Sequence, residues 1–146
     1  MRRGRRLAFD VGQVRTGVAV SSQDGIFSSP IGNIAAVTEA SALIAEYEPI
    51  ELYVGLPLSL AGNHTSSTAF ALDFATKLAE LSGLSVRMID ERLTTSTAQS
   101  MMRSIGKNAE ASKSGIDAAA ATLILEQALA LEKAGNEPGK PLGEYL

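Results

Sequence analysis

The stretch RRLAFDVGQVRTGVAVSS, residues 5–22, determines how the fold of this chain begins. In its first half apolar residues alternate along a strand, so that Asp10 shares a face with Ala8 and not with Phe9. Gly12 opens a short turn, and the second half, TGVAVSS, has the composition of another strand. The stretch therefore predicts a β-hairpin that carries a carboxylate in a strand expected to be central.

Turn signals and apolar periodicity divide the rest of the chain into a third strand followed by alternating helices and strands. The order predicts an α/β protein with a mixed five-stranded sheet and helices on both faces. A polar, glycine-flanked loop is expected over residues 104–115. The predicted elements are strands 5–11, 16–22 and 26–32, a helix from a cap at Thr38 to a stop at Pro49, strand 52–57, helix 65–82, strand 85–91, a helix from Ser96 through Arg103, and helix 116–135.

The chain has 146 residues, no cysteine and one histidine. This excludes disulfides, thiolate metal sites, cysteine nucleophiles and sites with several histidines. The histidine, His64, lies in a predicted loop opposite no obvious nucleophile, so a Ser-His-Asp triad is rejected. No apolar run approaches the roughly 18 residues of a membrane span, and the protein is expected in the cytoplasm, without a membrane partner. Residues 136–146 are expected to form a poorly ordered tail.

The basic residues are unevenly distributed. Residues 1–20 and 87–117 contain 10 of the 13 lysines and arginines but only 5 of the 16 acidic residues. If these segments meet in the fold, one face is basic and would attract a polyanion although the net charge is −3. The alternative is a basic segment, Arg2 to Arg6, combined with ordinary solvated charges on helices.

Four acidic residues are candidates for a catalytic site. Asp10 lies in a strand, where an unpaired carboxylate is costly, although Arg15 could neutralise it. Asp90 and Glu91 close the strand 85–91, and adjacent strand residues point to opposite faces, so at most one of them shares a face with Asp10. Asp117 begins the last helix, where an acid also favours the helix dipole.

Convergence of three such carboxylates would require protons or a cation, because each pair repels by about 4 kcal/mol at contact distance. Oxygen ligands without histidine or cysteine suit Mg²⁺ or Mn²⁺. Basic residues around such a site indicate phosphate, and two ions could stabilise the attacking and the leaving oxygen of a phosphodiester. The residues therefore predict hydrolysis of a nucleic-acid backbone.

Four segments, in this order, resemble the motifs of the YqgF family of Holliday-junction-resolvase-like proteins, which are also described as nucleases of precursor 16S ribosomal RNA. They are DVGQVRTGVAVSS (10–22), VGLPLSLAGNH (54–64), MIDERLTTSTA (88–98) and GIDAAAATLILEQAL (115–129).

The resemblance implies an RNase H-like fold for residues 1–135 and selects Asp10, Glu91 and Asp117 as the acidic, metal-binding and catalytic residues. It implies maturation of the 5′ end of precursor 16S ribosomal RNA during ribosome biogenesis, with the small ribosomal subunit as a possible partner. Branched DNA is the alternative substrate. Two departures from the family are Ser21-Ser22 in place of Ser-Asp and a less basic stretch before Asp117.

Four cations are candidates for substrate phosphates: Arg15, Arg92, Lys107 and Lys113. For the two arginines, charge balance beside carboxylates is an equal alternative. Gly55 and Pro57 are interpreted as structural, for close packing and a turn at a strand end. Alternatives from other classes are a binding module without activity and an ATP-handling protein of the actin and sugar-kinase type, for which one domain is too short.

Overall fold

A computed structural model describes the backbone of residues 1–93 and 113–146, and the side chains of residues 1–92 and 118–146. Its strands are β1 (Arg6–Val11), β2 (Thr16–Ser21), β3 (Ser28–Ile34), β4 (Glu51–Leu56), β5 (Val86–Asp90) and β6 (Lys140–Pro141). Its helices are α1 (Ala40–Tyr47), α2 (Ser66–Ser82) and α3 (Lys113–Lys133), with single 3₁₀ turns at Val37–Glu39, Glu91–Leu93 and Leu142–Tyr145.

The strands form one mixed sheet in the order β3-β2-β1-β4-β5-β6. The hairpins β1-β2 and β2-β3 are antiparallel, whereas β1, β4 and β5 run parallel to one another. The predicted hairpin, the mixed sheet and the edge position of the strand with Pro30 are therefore confirmed. The carboxyl ends of β1, β4 and β5 lie at the same edge of the sheet, which is where α/β proteins place their sites.

The two faces of the sheet have separate hydrophobic cores, so helices cover both faces as predicted. Side chains at alternate strand positions divide between these cores. The core under α2 includes Leu7, Phe9, Val54, Phe74 and Met88. The core under α3 includes Ala8, Tyr53, Ile89, Ile124 and Leu125.

The tail forms the sixth strand, so the expectations of five strands and of a poorly ordered tail are wrong. β6 pairs antiparallel with β5. Arg87 donates from Nε to the carbonyl of Pro138 at 2.7 Å and from Nη2 to the carbonyl of Gly139 at 2.8 Å. Leu142 is buried in the core under α2. Short polar tails usually fray, but here an apolar anchor and an unsatisfied strand edge hold the segment in place.

Some element boundaries differ from the prediction for local reasons. The third strand begins at Ser28, because the Asp24 carboxylate accepts the amide of Ile26 at 3.1 Å and extends the turn. Helix α1 begins at Ala40 and is not capped by Thr38, because a 3₁₀ turn precedes it.

The last helix begins at Lys113, which the sequence analysis placed in the loop 104–115. The rest of that loop, and the helix predicted from Ser96 through Arg103, lie outside the described residues. None of the helices in the described part of the chain combines the length and the apolar composition that a membrane span requires.

Candidate active site

Two carboxyl groups meet at the carboxyl-terminal edge of the parallel strands. Asp10 lies near the end of β1, opposite Gly17 of β2. Glu91 directly follows β5 and begins the 3₁₀ turn. Although β4 lies between β1 and β5, the side chains of Asp10 and Glu91 are hydrogen-bonded to each other. The Glu91 carboxylate crosses β4 at Gly55, where its Oε1 lies 2.7 Å from the position that a Cβ would occupy.

The environment of this pair disfavours two negative charges. Burial, followed by the charge of Asp10 and the hydrogen bond to it, raises the pKa of the Glu91 carboxyl to about 8. A hydrogen bond between two carboxyl groups needs one proton, so without a cation the pair carries about one negative charge at neutral pH. The arrangement can therefore hold either a shared proton or a positive ion.

Asp90 belongs to the opposite face of the sheet. Its carboxylate forms an ion pair with Arg92, with 2.7 Å between Oδ2 and Nη2, and it accepts the backbone amide of Arg92 at 2.9 Å. This partner lowers the pKa of the Asp90 carboxyl. Residues alone left Asp90 and Glu91 as alternatives, and the structure brings Glu91 to Asp10.

The two candidate arginines have different surroundings. Arg92 is held by Asp90, and its Nη1 lies 3.4 Å from the carbonyl oxygen of Leu60 in the segment after β4. Charge balance for Asp90 is therefore one role of Arg92. Arg15 is half-buried in the turn between β1 and β2, where its carbonyl accepts the amide of Gly12 at 3.0 Å.

The remaining predicted site residues are only partly described. Asp117 lies in α3, whose first residue is Lys113, and the side chains of both lie outside the described set. Lys107 lies in the segment 94–112, which is not described. Among the described side chains, no group of three or more histidine, cysteine or acidic residues could hold a metal ion. The described site is thus a pair of carboxyls.

Two of the amino-terminal arginines, Arg2 and Arg6, form ion pairs away from this site. Arg6 is fully buried and pairs with Glu132 of α3, and Arg2 pairs with Glu132 and, at 2.8 Å, with Glu51. Arg6 and Glu51 begin β1 and β4, so this network lies at the opposite edge of the sheet from Asp10. The role of Arg2 and Arg6 is therefore structural, since their ion pairs join the amino terminus to α3 and β4.

Gly55 is the residue of the site that the sequence analysis missed. It was interpreted as a structural glycine for close packing, which the 2.5 Å between Cδ1 of Ile124 and the position of a Cβ supports, but its place under the Glu91 carboxylate was not predicted. The available signal was a glycine inside the otherwise apolar strand LYVGLP, which indicates a close approach of another group.

Solved structures with the same architecture identify the fold class of this chain. Two structures of Thermus thermophilus RuvC, one in complex with Holliday junction substrate, share it with TM-scores of 0.63 and 0.58 and identities of 15% and 12%. In both cases the similarity covers 94% of this chain and 99% of the other. The expected RNase H-like fold is thereby confirmed.

The family follows from sequence similarity. Residues 4–131 match the RuvX family, described as Holliday junction resolvase, and the chain belongs to this family. A protein of Leifsonia xyli subsp. xyli is 44% identical over 97% of this chain and 96% of the relative. A protein of Streptomyces coelicolor is 44% identical over 99% of this chain and 89% of the relative. Both bear the name "Putative pre-16S rRNA nuclease". The predicted YqgF-type family and the nuclease class, a hydrolase, are confirmed.

Proposed function

We propose that this nuclease hydrolyses phosphodiester bonds of precursor 16S ribosomal RNA in a reaction that depends on a divalent cation. The observation that supports the site most directly is the hydrogen-bonded pair of Asp10 and Glu91 at the carboxyl ends of β1 and β5. Two carboxyl groups in contact, one with a strongly raised pKa, are a costly arrangement that a cation would relieve.

The donor set fits Mg²⁺ or Mn²⁺. Both groups are carboxylates, and the chain has no cysteine that would favour a softer metal. In the proposed site, Asp10 and Glu91 hold the cation in place of their shared proton. A bound divalent ion would offset the charge that develops on the phosphate during hydrolysis.

Asp117 is proposed as the third ligand. It precedes Ile124 by seven positions in the same helix, and positions seven apart fall on one helix face. The Cδ1 of Ile124 lies over Gly55, 2.5 Å from the position of a Cβ there, so this face of α3 is the one turned to the sheet near the pair. The alanines 118–121 leave the helical turn directly after Asp117 free of bulky side chains.

The substrate is inferred from the relatives and from the charges near the site. Arg15 follows Asp10 in the first turn, and Arg92 follows Glu91 directly. We propose that these arginines, together with Lys107 and Lys113, contact substrate phosphates. The names of the relatives favour precursor 16S ribosomal RNA, and the small ribosomal subunit in the cytoplasm is the corresponding place of action. The family description and the RuvC complex favour a four-way DNA junction as the second candidate.

Labelled precursor RNA and a labelled four-way junction, each incubated with Mg²⁺, Mn²⁺ or EDTA, test the proposal. We expect cleavage of the RNA with either cation, no cleavage with EDTA, and loss of cleavage in Asp10→Asn. A matched control is Asp73→Asn, which changes an exposed acid paired with Lys77 on α2 and is expected to leave cleavage unchanged. Cleavage of the junction alone would assign the site to DNA, and cleavage that persists in EDTA would refute the metal site.

A further inference from the structure

A gap on one strand allows the two carboxyls to meet. On β4, the positions facing α3 are Glu51, Tyr53 and Gly55. Glu51 and Tyr53 have long, buried side chains, and Tyr53 packs in the core under α3. Only the last position has no side chain, and there the Glu91 carboxylate crosses the strand toward Asp10.

A methyl group at position 55 would meet two obstacles. Its Cβ would stand 2.5 Å from Cδ1 of Ile124 and 2.7 Å from Oε1 of Glu91, and real Cβ contacts are essentially never this short. Ile124 is 2% exposed and packs within the core under α3, so it can shift very little. Glu91 is half-buried at the sheet edge and less confined than Ile124, so its carboxylate is the group that would move.

We infer that Gly55 is a positioning residue of the nuclease site, because the space left by its missing side chain holds the Glu91 carboxyl against Asp10. This inference rests on the proposed function for its catalytic consequence. The geometric part concerns only Gly55, Glu91 and Asp10. The three atoms nearest to a Cβ at position 55 belong to Ile124 and Glu91, so a side chain there acts first on the proposed metal ligand.

The test separates this role from a loss of packing. Gly55→Ala is combined with Ile124→Val, which removes the Cδ1 atom that the new methyl group would strike, so that the double variant folds. Ile124→Val alone is the reference. A matched glycine control is Gly143→Ala, because nothing lies within 4 Å of a Cβ built there.

Two readouts are compared between Gly55→Ala/Ile124→Val and Ile124→Val. Titration calorimetry with Mn²⁺ is expected to show affinity weakened by about 10-fold or more, the effect typical of losing a group that orients a ligand. Crystal structures of the metal-free variants are expected to show the Glu91 carboxyl separated from Asp10 in the double variant only. Gly143→Ala should match the wild type in both.

Unchanged Mn²⁺ affinity together with an intact Asp10–Glu91 hydrogen bond in the double variant would overturn the inference. A wild-type protein that cuts neither RNA nor junction would instead overturn the proposed function. In that case the crystal structures still decide whether Gly55 positions Glu91.

Discussion

Asp10 on β1 and Glu91 after β5 share a hydrogen bond through their carboxyl groups across the intervening strand β4. Two carboxyls in this position are unfavourable unless a proton or a cation joins them. The relationship gives Asp10, an acidic residue near the end of a strand in the centre of the sheet, a carboxyl partner.

Asp10→Asn is expected to yield a folded protein that still binds RNA and no longer cuts it. Asparagine preserves the shape and one acceptor oxygen but removes the charge that holds a cation. We expect cleavage to fall by more than about 100-fold. Replacing a residue that only orients a metal ligand already costs up to about 100-fold, and Asp10 is proposed as a ligand itself. Without the Asp10 carboxylate, Glu91 can ionise with no negative charge beside it, so the melting temperature without metal should stay the same or rise.

Cleavage assays and metal-free thermal melts measure both parts of this prediction. An Asp10 carboxylate that mainly neutralises a buried Arg15 would give the opposite stability result, a loss of about 3–5 kcal/mol. Cleavage at the wild-type rate would contradict the assignment of Asp10.

The metal-free protein is expected to lose stability as pH rises through the range set by Glu91. Its pKa is about 8 in the folded state against an ordinary 4.5, so between these values the folded state binds a proton that the unfolded state has released. Stability contributed by this group is therefore complete below pH 4.5 and falls until pH 8. We expect the loss to be on the order of 2 kcal/mol, after discounting for solvent around the half-buried carboxyl.

Urea unfolding of wild type and Glu91→Gln across this pH range measures the effect, since the difference between them isolates Glu91 from other titrating groups. The free energy of unfolding of Glu91→Gln should not show this decrease with rising pH. Saturating Mg²⁺ should make the decrease smaller in the wild type. Parallel curves for the two proteins would contradict the prediction.

Asp90→Asn should behave unlike Glu91→Gln although the two residues are adjacent. Asp90 faces the other side of the sheet and pairs with the exposed Arg92, so Asp90→Asn should change the free energy of unfolding only slightly. Asp90→Asn should bind Mn²⁺ with the affinity of the wild type, whereas Glu91→Gln should bind Mn²⁺ at least about 10-fold more weakly. Calorimetry on both variants checks this, and equal losses of affinity would show that both carboxylates bind the cation.

Leu142→Ala tests whether the carboxyl-terminal segment is part of the folded unit. Leu142 is 7% exposed and packs in the core under α2, so its truncation should cost about 2–3 kcal/mol in urea unfolding. Leu146→Ala is the control, because Leu146 is 75% exposed and should cost almost nothing. Equal unfolding midpoints for the two variants would mean that packing of the carboxyl-terminal segment through Leu142 adds no stability.

Much of the fold followed from local patterns. The strand alternation around Asp10 and the glycine turn after it predicted the hairpin. The order of the predicted strands and helices along the chain predicted the mixed sheet and the helices on both faces. Local patterns did not predict the ordering of the tail, because Leu142 becomes an anchor only when β5 offers an open edge and the core under α2 offers space.

By itself, the sequence determined the class of site: carboxylates at strand ends, no thiol and one histidine, within an alternating α/β pattern. It also restricted the partner of Asp10 to one of Asp90 and Glu91, since adjacent strand residues point to opposite faces. Only the tertiary structure decided which of the two reaches Asp10 and by what path. The physical reason is that β4 lies between β1 and β5, and that Gly55 on β4 has no side chain to separate the carboxyls of Asp10 and Glu91. A local pattern of residues contains no information on this contact.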